Sequence, residues 1–71
     1  MDKYQQELYM LVIGESAVVE MESYMLQNLL QQVPQHEERI AAARERLAES
    51  CRRVNVFLLM YRARYGDTVP E

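Results

Sequence analysis

Glu15 and Glu22 stand seven residues apart, and on a helix that spacing puts both carboxylates on one face, within an otherwise apolar strip. Paired carboxylates are the equipment of general acid–base chemistry. Such chemistry also needs a nucleophile, a base or a phosphate cradle in the same place, and the sequence puts none beside them. The competing reading is structural. In an antiparallel hairpin turning at Val33 and Pro34, Glu22 comes level with Arg44 and Arg46, and Glu15 with Arg52 and Arg53. Arg–carboxylate pairs across the hairpin would then fix its register.

The other reactive side chains lead to the same conclusion. Zinc sites need several Cys or His ligands at close spacing, and the chain offers only Cys51 and His36. A lone cysteine forms no intrachain disulfide and fits a reducing compartment. Cys51 falls on an apolar helical strip, where a thiol behaves as a small inert hydrophobe. His36 reads as a solvated or capping residue, and Tyr61 and Tyr65 as packing residues with their hydroxyls at the rim. No enzyme activity, cofactor or metal is expected.

The elements that must position these residues are few. A chain of 71 residues is one domain and buries only about 60% of the surface its unfolded form exposes. Without disulfides or a metal, association is the remaining way to supplement so thin a core. Met1 to Gln6 lacks the basic start and apolar core of a signal peptide. The longest apolar runs, Leu8 to Ile13 and Val56 to Tyr61, are too short to span a bilayer. A cytoplasmic protein without a membrane partner is expected. The net charge of −3 argues against nucleic acid, which calls for a basic stripe. Acidic residues dominate the first half (Asp2, Glu7, Glu15, Glu20, Glu22), whereas seven arginines lie between Arg39 and Arg64. Oppositely biased helices suit side-by-side packing.

Only Gly14, Pro34, Gly66 and Pro70 punctuate the chain. Pro34 suits the first turn of a helix and places Glu37 and Glu38 near the positive end of its dipole. Gly66, following Arg62 and Arg64 and preceding Pro70, reads as a C-terminal stop. The expected fold is all-α: an antiparallel, coiled-coil-like two-helix hairpin over 1–71. Helix 1 runs from about Lys3 to Gln32 and helix 2 from about Gln35 to Tyr65, with a short tail at 66–71. Gly14 is a weak point in helix 1, costing about 1 kcal/mol relative to Ala.

Ile40, Ala43, Leu47, Cys51, Val54, Leu58, Tyr61 and Tyr65 follow at steps of three or four and form a seam on helix 2. Helix 1 answers with Tyr4, Leu8, Leu11, Val18, Met25, Leu29 and Val33, widened by Val12, Val19, Leu26 and Leu30. Apolar residues remain outside both strips. Val56, Leu59, Met60 and Ala63 have the spacing of a second apolar face on helix 2. Tyr9, Ile13, Ala17, Met21 and Tyr24, with Met10, lie away from the seam of helix 1. One helix cannot cover both faces of its partner, and apolar surface of this extent marks a protein interface. Self-association into a four-helix bundle, as in a small regulatory or adaptor protein, is the alternative use of the same surface.

The segment PQHEERIAAARERLAESCRRVNVFLLMYRARYG, from Pro34 to Gly66, has a Pro-Gln turn, a long helix, an apolar run and a Tyr-x-x-x-Tyr ending. It resembles the second half of the small YscE/SsaE/PscE-type proteins of bacterial type III secretion. Helix 1 is similar in length, Gln content and amphipathic character. The resemblance implies a cytoplasmic co-chaperone that pairs with a larger chaperone of tetratricopeptide-repeat type, the two together holding the needle subunit monomeric before export. On matching positions, Val56, Leu59, Met60 and Ala63 would face the repeat protein.

Overall fold

The computed structural model describes residues 3–69; Asp2 and Pro70, used above for charge and for the helix stop, lie outside the described residues. Two helices, α1 (Lys3–Leu30) and α2 (Glu37–Tyr65), pack antiparallel as a hairpin, in a rod of 52 × 18 × 16 Å. α1 is continuous through Gly14. That glycine is exposed, and a Cβ there would meet nothing within 4 Å.

The C-terminal end of α2 follows the residues expected to set it, and both of its termini carry the expected charges. Glu37 and Glu38 occupy its first turn, and Arg62 and Arg64 its last. Gly66 takes φ 64°, and its N–H donates to the carbonyl of Arg62 at 3.0 Å, using a positive φ that glycine adopts without a Cβ penalty. On the outer face the Arg52 guanidinium hydrogen-bonds Glu49 and, by that bond first and its charge second, holds the carboxyl below its ordinary value. The pair supports the helix above that range and is lost as pH falls through it.

The connector is longer than expected. α1 stops at Leu30 rather than Gln32, and α2 starts at Glu37 rather than Gln35, so Pro34 lies in the turn instead of the first helical turn. A residue before proline is driven out of the α region, which excludes Val33 from either helix. The first α2 hydrogen bond at the turn runs from Ile40 N–H to the His36 carbonyl at 2.9 Å. The freed end of α1 is satisfied locally: Gln32 N–H donates to the Leu29 carbonyl at 3.3 Å, and the Gln35 side-chain amide donates to the Leu30 carbonyl at 3.2 Å.

The core is a strict heptad seam. On α1, Gln5, Leu8, Val12, Glu15, Val19, Glu22, Leu26 and Leu29 are all buried or half-buried; on α2 the same holds for Ile40, Ala43, Leu47, Ser50, Val54, Phe57 and Tyr61. Each set alternates steps of three and four, the repeat that keeps two helices facing each other. This phase corrects the expected seam of α1. Tyr4, Leu11 and Met25 are exposed, Leu11 at 47% and Met25 at 46%, and Val33 in the turn is 94% exposed. On α2, Ser50 and Phe57 join the seam, while Cys51, Leu58 and Tyr65 stand half-buried beside it.

Tyr61 closes the open end of the hairpin. Its hydroxyl is inside the structure rather than at the rim, accepting from Gln5 Nε2 at 3.1 Å and donating to the Thr68 carbonyl at 2.5 Å. The ring packs between those of Tyr9 and Tyr65, at centroid distances of 5.7 and 5.2 Å. The tail thus folds back over the last turn of α2.

Gly14→Ala should raise stability by about 0.4–1 kcal/mol, since the position is helical and the space for a methyl is free; an unchanged or lower urea midpoint would contradict the exposed, continuous α1. Leu47→Asp, in the seam, should abolish the cooperative helical signal in circular dichroism at room temperature.

Candidate protein-binding surface and the polar chain beneath it

The two glutamates meet different partners from each other. Arg53 Nε donates to Glu15 Oε2 at 3.2 Å, as the sequence anticipates. Glu22 does not meet Arg44 or Arg46: its Oε1 accepts from Ser50 Oγ at 2.6 Å. The connector grows by two residues at each end, which leaves the level of the two helices unchanged, and Glu22 instead meets the small hydroxyl that occupies a core position of α2 about one turn further on. Arg53 Nη2 also donates to Ser50 Oγ at 3.0 Å, linking Glu15, Arg53, Ser50 and Glu22 into one chain across the seam. Ser50 is fully buried, and Glu22 Oε2 is buried with no hydrogen-bond partner. An unsatisfied buried carboxylate oxygen is costly. Nothing reactive accompanies it, and among the described residues no group of three His, Cys, Asp or Glu could hold a metal ion.

The flanks of the seam are unequal. On one side Tyr9, Ser23, Cys51, Leu58 and Tyr65 are half-buried; on the other, Tyr4, Leu11, Met25 and Met60 are exposed. Heptad position puts this open side where α1 carries Tyr4, Leu11, Val18 and Met25 and α2 carries Arg39, Arg46, Arg53 and Met60. Arg64 lies over the Tyr4 ring at 4.6 Å from its centroid.

The residues singled out from the sequence divide around this geometry. Val56, Met60 and Ala63 line the α2 edge of the open flank, with Met21 bordering its α1 edge, all exposed. Leu59, 66% exposed, points outward from the back of α2. Ala17 and Tyr24 sit on the back of α1, and Ile13 faces the opposite flank. Tyr9 is half-buried against Tyr61. The nine are therefore not one patch. Tyr4, Leu11 and Met25, which the sequence reading assigned to the seam, are the apolar residues that complete the open flank. Their exposure was detectable only if Glu15 and Glu22 were accepted as seam positions that set the phase.

The chain exposes 5484 Å², against about 4,600 Å² for a compact monomer of 8.4 kDa. The excess, roughly 900 Å², goes with the elongated 52 × 18 × 16 Å shape. No helix among the described residues is long and apolar enough to cross a membrane. No protein-family model, curated protein or solved structure matches the chain.

Ser50→Ala should destabilise the hairpin by about 1–3 kcal/mol, because it removes the hydroxyl that donates to the Glu22 carboxylate. The double variant Glu22→Leu with Ser50→Ala should be as stable as the natural chain or more so. Urea unfolding followed by circular dichroism measures both, and a double variant less stable than Ser50→Ala alone would show that the buried carboxylate contributes net stability.

Proposed function

We propose that this chain is a binding subunit without catalytic activity: a cytoplasmic bacterial co-chaperone that docks on a larger chaperone of tetratricopeptide-repeat type, the pair keeping a type III secretion needle subunit monomeric before export. The observation that carries the binding role is the open flank, where large apolar side chains stand exposed along a hairpin with a surplus of accessible area. The partner and cargo come from the resemblance of Pro34 to Gly66 to the YscE-type proteins.

The mechanism is burial. A helical hairpin laid into the concave groove of a repeat protein covers apolar surface on both, and binding that selects the folded form stabilises it by mass action. Met60 and Val56 on the open flank, with Ala63 one turn beyond Met60 and Leu59 at the back edge, would provide the contacts. The hairpin need not touch the cargo. Self-association into a four-helix bundle would use the same area.

Leu59→Asp and Met60→Asp should each weaken partner capture by at least about tenfold while leaving helicity intact, since both side chains are exposed. Co-purification of the tagged chain from its native host, followed by titration with the recovered chaperone, measures this. Wild-type affinity in both variants would remove this face from the interface. A partner-free dimer that accounts for all of the chain in the cell would replace the co-chaperone reading with the bundle.

A further inference from the structure

The half of the open flank nearest the turn carries a feature that chaperone docking through Val56 to Ala63 does not use. Met25, Leu29 and Ala42 floor a groove of ≈ 370 Å³, with Arg39 and Arg46 on its α2 edge and the uncharged Asn28 and Gln32 on its α1 edge. No carboxylate lines it. Arg39 and Arg46 make no ion pair or hydrogen bond among the described residues, whereas Arg52, Arg53, Arg62 and Arg64 are engaged with Glu49, Glu15, Asp67 and the Tyr4 ring. The two arginines hold equivalent heptad positions, so their Cα atoms lie about 10.5 Å apart along α2.

We infer that this groove is a docking site for an acidic amphipathic helix of another protein, with two carboxylates one heptad apart on Arg39 and Arg46. Apolar residues three and four places after the first carboxylate fill the space over Met25 and Leu29. Charge complementarity selects this occupant. An α-helix repeats its carboxylates at the spacing of the arginines, Arg pairs with carboxylate in a planar fork, and the apolar floor rewards the face between them. A phosphate would leave that floor unused. A second copy fits poorly: within α1 and α2, Glu15 and Glu22 are the carboxylates at this spacing with large apolar residues between them, and both are engaged in the seam. Glu38 and Glu45 bracket only alanines beside Ile40.

The site lies about 15 Å along α2 from Val56, so it stands or falls independently of the chaperone reading. The test titrates the full chain with a synthetic helical peptide carrying Glu-x-x-Leu-Leu-x-x-Glu, following backbone amide shifts by NMR. The peptide should shift Leu29 and Ala42. Arg39→Glu with Arg46→Glu should weaken binding at least about tenfold with helicity unchanged, since both residues are exposed. A peptide with Lys in place of both Glu should regain affinity on that reversed chain, and Leu59→Asp should leave binding of the original peptide unchanged. Equal binding of a Gln-for-Glu peptide, undiminished binding to the reversed chain, shifts confined to Leu11, Val56 and Met60, or no binding would overturn the inference. So would a dimer of the natural chain that the reversal dissociates, which would assign the groove to a second copy.

Discussion

Polar groups placed at apolar positions of the seam govern the rest of this hairpin. Two helices with continuous apolar strips could slide past one another by a turn at small cost, because hydrophobic contact is non-directional. The hydrogen bonds from Ser50 to Glu22 and from Arg53 to both Ser50 and Glu15 are directional, and each slipped register would strand several of them. The bridge from Gln5 through the Tyr61 hydroxyl to Thr68 repeats the device at the open end. Register, and with it the assignment of every side chain to seam or surface, therefore rests on a few polar contacts. Buried polar groups at heptad core positions have the same use in coiled coils, where they specify alignment at a cost in stability.

The cost is visible in what the fold lacks. Two helices offer each other one face apiece, and Ser50 and Ala43 occupy core positions where larger residues would bury more area. A partner that covers the open flank would add apolar burial where the isolated hairpin has too little. The same geometry explains why binding residues can be large and apolar without disturbing the fold: at the flank and back positions they take no part in the seam.

Charge divides the open flank into two unlike halves. Toward the chain ends it is apolar, with Leu11, Val56 and Met60. Toward the turn it is an apolar groove edged by unpaired arginines. The arginine-rich bias of α2 is thus only partly consumed by pairing with the acidic α1. The Glu15–Arg53 bridge does that work, whereas Arg39 and Arg46 make no ion pair among the described residues.

Much of the architecture was legible in the residues. Helix-favouring composition, one interrupting proline, the acidic first turn of α2 and the Gly66 stop act within a few residues of themselves, so the sequence determined two long helices, their antiparallel pairing and the end of α2. It also determined that apolar residues outnumber the places a hairpin has to hide them. What only the tertiary structure decided was rotation and register. Leu11 and Met25 satisfy a loose helical strip as well as Val12 and Leu26 do, and choosing between them depends on which phase brings Glu22 to Ser50. That choice rests on the directional contacts among Glu15, Arg53, Ser50 and Glu22. Local signals carry no information about contacts across nearly thirty residues of chain, as between Glu22 and Ser50. The binding surface, being whatever the seam leaves out, could be located only after the seam itself was set.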